Sequence, residues 1–304
     1  MRRKVVRHGV STLTISLPAR WAKQHRIKPG KELEVTARGG ILEVAASPSD
    51  DPISLDVDIK DHLKVGVRYI NAAYRKGVDE LTLHYGQSSY LHRIERCLAE
   101  EVLGFEIVRQ GENWCTMKVI PGEEDGSFET LLRRVWILLL SMGDDTLKGM
   151  KEKSNNFDRG IVAIDNRISK FTNYCIRVLA RRGSVEHRNI PAFYRLLRGL
   201  EELADPYKYL AERYCHNLPK LNPKFFSIME NINKDVRRFY GTFYKPDNHA
   251  LSLLLSDVKR SRQQFFDVYF KEKIDPMYLQ FLLLINEKLM ELLSAVVELS
   301  IIKN

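Results

Sequence analysis

Cysteine is scarce in this chain: four in 304 residues, Cys97, Cys115, Cys175 and Cys215. None has the short spacing of a zinc knuckle or a redox dithiol, so the expectation is four reduced thiols. The signatures of common enzyme classes are also missing. There is no Glu-x-x-His for a carboxylate-bridged metal bundle, no His-Glu-x-x-His, no Gly-x-Ser-x-Gly and no phosphate-binding glycine loop. The expectation is a protein that is not an enzyme. Long apolar runs are absent too. The most apolar tail, Tyr278–Ile302, is interrupted by Glu287, Lys288, Glu291 and Glu298, and the basic start MRRKVVRHG has no apolar run behind it. Those two observations predict no membrane insertion and a cytoplasmic location.

What is present is an ordinary globular composition, 44% hydrophobic and 29% charged, with a net charge of +9. That charge is unevenly placed. Residues 1–46 hold ten basic side chains against three acidic, residues 46–126 hold nine against fifteen, and residues 127–304 hold 29 against 21. A basic first segment followed by an acidic one argues against diffuse basicity. Linker-like compositions at Ala46–Pro52 and Pro121–Gly126 predict three domains, 1–46, 53–120 and 127–304.

The first segment carries the most specific pattern. Leu13, Ile15 and Leu17 alternate with Thr12, Thr14 and Ser16, which predicts a half-buried strand over Val10–Leu17. Pro18 suits the first position of a short helix, Ala19–His25, because its missing amide hydrogen would go unsatisfied there anyway. Lys28-Pro29-Gly30-Lys31 predicts a tight turn. A hairpin follows, Lys31–Ala37 and Ile41–Ala45, joined at Arg38-Gly39-Gly40. A β unit of about 45 residues buries little core alone, so interleaving with a second copy is the expected remedy.

In its His8-Gly9, its strand Leu13–Leu17 running into Pro18, its short helix and its turn Ile27-Lys28-Pro29-Gly30, the segment resembles the AbrB/SpoVT/MazE family of swapped-hairpin DNA-binding domains. The resemblance implies a homodimer knitted through these hairpins and a double-stranded DNA partner. The residues that fall at DNA-facing positions are Arg3, Arg7, Ser11 and Arg20, with Lys4, His8 and Lys23 beside them. Where family members often carry an arginine after the glycine, this chain has Val10-Ser11.

Residues 53–120 alternate strand and helix signals. They predict strand Ile53–Ile59, helix Asp61–Lys76, strand Glu80–Tyr85, helix Ser88–Leu103 and strands Phe105–Gln110 and Trp114–Ile120, a small α/β domain. His62, His84 and His92 do not cluster. From Ser127 the period changes to three and four, and six helices are expected. Leu200-Glu201-Glu202-Leu203-Ala204-Asp205 with Glu212 returns 86 residues later as Asn286–Glu291 with Glu298, which predicts two three-helix bundles in tandem.

That repeat, with LEELADPYKYLAE in its first copy, resembles the PhoU family of phosphate-signalling proteins. The whole chain is similar to the archaeal regulators that fuse an AbrB-type domain to a PhoU-like one. The resemblance implies control of phosphate uptake, partners among phosphate transporter or signalling components, and, in some members, divalent, iron or zinc ions at acidic pairs. The matching positions are Glu201 and Asp205 in the first copy, with Asp165 inside the apolar stripe of the second helix, and Glu287 and Glu291 in the second copy. Glu201 and Asp205 lie one turn apart on one helical face and can reach one cation. The alternative reading pairs Glu201, Glu202 and Asp205 with Arg198 and Lys208. Family members usually place histidine after the aspartate; here Pro206 stands there.

Two function classes follow: a transcriptional regulator whose hairpins bind operator DNA, or an adaptor whose hairpins only dimerise it while the helices dock on a transporter or sensor kinase.

Overall fold

The computed structural model describes residues 2–38, 40–46, 52–60, 62–120, 127–182, 189–272 and 274–301. The chain divides into two compact units, Met1–Ile53 and Ser54–Asn304.

The first unit contains two antiparallel hairpins and a short helix. Strands β1 (Val6–His8) and β2 (Thr12–Thr14) pair with Arg7 opposite Leu13. Helix α1 (Ala19–Gln24) follows an extended Pro18, which caps the helix rather than opening it. Lys31 N–H donates to the Lys28 carbonyl at 3.0 Å, closing the expected turn with Gly30 at φ +86°. Strands β3 (Leu33–Arg38) and β4 (Ile41–Ala46) form the second hairpin. Its Gly39 lies outside the described residues, as do 47–51 of the first expected linker and all of 121–126, the second. The ladder of β2 is shorter than the predicted Val10–Leu17. Gly9, at φ +74°, turns the chain back onto β1, so Val10 and Ser11 belong to the turn.

The second unit begins with a four-stranded sheet in the order β5-β6-β8-β7, comprising β5 (Ser54–Asp58), β6 (Glu80–His84), β7 (Phe105–Gln110) and β8 (Trp114–Val119). Only β5 and β6 are parallel. Helices α2 (Gly66–Arg75) and α3 (Leu91–Glu101) supply Ile70, Tyr74, Ile94 and Cys97 to a core shared with Leu81, Leu83, Cys115 and Met117.

Six long helices follow: α4 (Phe128–Glu152), α5 (Asp158–Arg182), α6 (Ile190–Asn217), α7 (Pro223–Tyr244), α8 (Asn248–Lys271) and α9 (Pro276–Ile301). Their starts are chemically marked. Ser127, Asn222 and Asp247 each accept a backbone N–H with the side-chain oxygen, satisfying donors the helix cannot. Pro206 sits buried inside α6 without ending it. The helices pack as two triplets, α4–α6 and α7–α9, which meet through α6 against α9 and α4 against α7. The repeat is visible at that seam. Lys288 Nζ donates to Glu202 Oε2 at 3.0 Å across a separation of 86 residues, so a position meets its own counterpart as at a two-fold axis. Gly199 allows this approach, since a Cβ there would lie 2.3 Å from the Leu292 side chain. Among the described residues no helix is long and apolar enough to cross a membrane.

The α/β layer rests on α5. Arg177 has a side chain only 3% exposed; it donates to the Tyr74 carbonyl (3.1 Å), the Val78 carbonyl (2.7 Å) and Asp79 Oδ1 (2.8 Å). Arg181 also bonds Asp79 and the Gly77 carbonyl, and Asn173 donates to the Glu101 carbonyl at 2.8 Å. Removing one partner of such a buried pair strands the others. Arg177→Met is expected to cost about 3–5 kcal/mol and to split thermal unfolding of the second unit into separate layer and helix transitions by calorimetry; a single transition at the wild-type temperature would show that the guanidinium does not hold the two together.

Candidate nucleic-acid interface and acidic clusters

Among the described side chains of the first unit none is buried. On β3 and β4 the cross-strand partners Val35 with Val44 and Ala37 with Leu42 place apolar groups on one face, yet Val35 is 54% and Leu42 56% exposed. Leu13 and Ile15 are likewise open. Side chains of this kind at this density mark a surface that is covered by something else.

The basic groups of this unit are exposed as well. Arg3, Lys4, Arg7, His8, Ser11, Arg20 and Lys23 are all exposed. They do not share one face. Arg3 and Lys4 precede β1, and Ser11 lies in the turn. Arg7, opposite Leu13, points to the same side of its hairpin as that leucine, whereas His8 points to the other with Thr12. Arg20 and Lys23 are three residues apart on α1 and line one face of it. The single chain therefore brings together Arg20 with Lys23 and Arg3 with Lys4, while Arg7 projects from the edge of the apolar side.

The acidic positions lie in the second unit. Asp165 on α5 is 6% exposed, and its Oδ2 accepts from Lys208 Nζ at 2.7 Å. The same ammonium donates to Asp205 Oδ1 at 2.7 Å. Glu201 pairs with Arg198, whose second nitrogen lies 3.9 Å from Glu202. Burial raises the carboxyl pKa values of Asp165 and Glu201, opposed by Lys208 for the first and by Arg198 and Arg75 for the second. For Lys208 burial acts to lower the pKa, but hydrogen bonds to Asp165 and Asp205 outweigh it and hold the ammonium above the ordinary lysine value. Glu287 pairs with Arg262 of α8 at 3.0 Å and Glu291 with Lys288 at 3.0 Å. The five carboxylates are thus divided among four cations, with Lys208 taking Asp165 and Asp205, Arg198 taking Glu201, Arg262 taking Glu287 and Lys288 taking Glu291. Among the described residues no group of three or more His, Cys, Asp or Glu is arranged to hold a metal ion. The residues present do not fit the metal that the helical resemblance implies, because Lys208 stands between the two carboxylates that would share it.

Arg177 is the polar residue that sequence reasoning missed. Its signal is the run Thr172–Leu179, in which apolar side chains fall on every side of the helix, a pattern of burial all round.

With this geometry in place, comparison with known proteins gives one match. Residues 9–49 fit the family described as antidote-toxin recognition MazE, bacterial antitoxin. No curated protein and no solved structure matches the chain. Residues 9–49 of the first unit are therefore MazE/AbrB-like, in a chain whose second unit holds a small α/β layer and a helical region.

If a second copy covers the apolar face, charging that face separates the copies. Val35→Glu with Leu42→Glu is expected to convert a dimer to a monomer in analytical ultracentrifugation while leaving the helical signal of the second unit intact; a dimer that survives both changes places the contact elsewhere.

Proposed function

We propose that this chain is a homodimeric, double-stranded-DNA-binding transcriptional regulator of phosphate uptake. In this reading the leading hairpins both join the copies and carry the DNA-contacting residues. The observation that carries it is that Leu13, Ile15, Val35 and Leu42 stay exposed within residues 9–49, which match the MazE family, with exposed basic residues in the same unit. Arg3, Lys4, Arg7, Arg20 and Lys23 would supply phosphate contacts, and His8 and Ser11 would contribute near the groove. Phosphate contacts position such a domain, and base-edge contacts specify its site. The helical unit would sense phosphate status or a partner; support for that part is the tandem three-helix repeat and its resemblance to PhoU.

The description of the matched family favours a second reading, an antitoxin-like regulator whose second unit, or a segment of it, engages a toxin. An adaptor for a phosphate transporter or kinase, dimerised by its hairpins, is the third. DNA retention separates the first from the last.

The direct test is selection of bound duplexes from a random library, followed by titration of the best sequence at several salt concentrations. For the wild type, log K should fall linearly with log salt. Arg7→Ala with Arg20→Ala should weaken binding at least tenfold and flatten that slope by about 0.9 for each phosphate contact removed. Unchanged affinity and slope in a folded, dimeric variant would exclude this surface.

A further inference from the structure

We propose that Lys208 is a tethered cation: its ammonium takes the place that a divalent ion would take between α5 and α6, so the helical region holds its acidic cluster together without metal. Asp165 and Asp205 come from different helices, and Nζ lies 2.7 Å from an oxygen of each. An ion shared by these carboxylates would have to sit where that nitrogen is. Asp165 is buried and cannot rely on water for its charge. Further carboxylates act on it electrostatically, Glu212 raising its pKa and Glu201 sharing a mutual repulsion with it. A cluster with that excess of negative charge needs a cation, and the chain supplies one on an 18%-exposed side chain.

The internal repeat provides an independent comparison. At the offset of 86, α6 beginning at Ile190 corresponds to α9 beginning at Pro276. The counterpart of Asp205 is Glu291 and that of Glu201 is Glu287, so the acidic pair is kept. By the bounds of α5 and α8 buried Asp165 falls at Leu254 or Leu255, and the counterpart of Lys208 on α9 is Ser294. The buried carboxylate and the lysine are present together in one copy and replaced together in the other. A lysine that merely decorated the surface of α6 would have no reason to follow Asp165. Where a buried charge does occur in the second triplet, the same device returns in another place: Arg238 bonds Asp257 and reaches Asp235, which is 3% exposed, at 4.0 Å.

The proposal stands apart from DNA binding, and its test uses none. Full-length wild type, Lys208→Met and the double variant Lys208→Met/Asp165→Leu would be melted in EDTA and again with Mn2+, an ion suited to oxygen ligands, with bound Mn2+ read by electron paramagnetic resonance. Wild type should melt at one temperature in both conditions and bind no ion at this cluster. Lys208→Met should lose on the order of 10 °C in EDTA, regain at least half of it with Mn2+, and hold one ion. The double variant, which restores the combination found in the second repeat, should recover stability in EDTA and bind nothing. A wild-type Mn2+ signal abolished by Asp165→Asn would overturn the proposal. So would a Lys208→Met protein that Mn2+ does not stabilise. If Lys208→Met does not fold in either condition, the double variant decides: recovery supports the tethered cation, and continued failure rejects it.

Discussion

The constraint behind the first unit is a shortage of interior. Its strands are short, its one helix has six residues, and none of its described side chains is buried. Leaving Val35, Leu42, Leu13 and Ile15 in water forfeits roughly 1.5–3 kcal/mol for each side chain that burial would stabilise, a loss comparable to the whole stability of a small domain. A chain that keeps such residues there keeps them for a contact. The basic groups fit the same logic. Ten cations against three anions over residues 1–46 repel one another, and that repulsion is relieved by a polyanion. Exposed apolar side chains and unbalanced basic charge are thus two separate costs, the first relieved by an apolar contact and the second by negative charge.

The second unit solves the opposite problem, an excess of polar groups in its interior. Arg177, Asn173, Asp165, Asn233 and Asp235 are all buried. Each is satisfied by partners on a neighbouring element rather than on its own turn of helix. Arg177 and Asn173 bond the α/β layer, Asp165 bonds α6, Asp235 takes the Ser261 hydroxyl of α8 at 2.6 Å, and Asn233 joins Tyr207 (2.7 Å) to the Gly143 carbonyl (2.8 Å). Apolar packing alone would let helices of similar stripe slide or exchange places. Groups that are costly when unpaired admit fewer arrangements, and in this unit they lie at the joints between elements.

Much of this was legible in the residues, and the exceptions have physical causes. The bounds of β7, Phe105–Gln110, and the number of helices after Ser127 follow from local signals, strand alternation in one case and helical period in the other. The strand at Val10–Leu17 was read too long because alternation reports which side chains can face a core, whereas a ladder also needs a partner strand, and one chain offers partners only from Val6 to His8. The acidic positions are legible as residues and, for Asp165, Glu201 and Asp205, as a site for a cation; that a lysine of the chain occupies it is not. Asp165 was recognisable as a carboxylate in an apolar stripe, and Asp205 with Lys208 as a one-turn pair. That one lysine serves both depends on how α5 lies against α6, across 43 residues of sequence. Arg177 was hidden for the same reason: an arginine on a helix reads as solvated until the layer that buries it is placed.

The two triplets show how far such placement overrides the repeat. Helices α5 and α8 occupy equivalent positions, yet every residue of α5 from Thr172 to Leu179 is buried, while α8 buries only a narrow stripe, Leu254, Val258, Ser261, Phe265 and Val268. Among the described residues α2 and α3 of the α/β layer pack on α5, with no packing of that extent on α8. Residues facing the shared interior stay apolar in both copies. Those facing outward have separated into hydrogen-bonding groups under the layer on α5, Asn173 and Arg177, and solvated ones on α8, such as Lys259 and Gln263. Divergence between the copies thus tracks what each helix touches, and so the arginine that anchors the layer stands on the helix that the layer packs against.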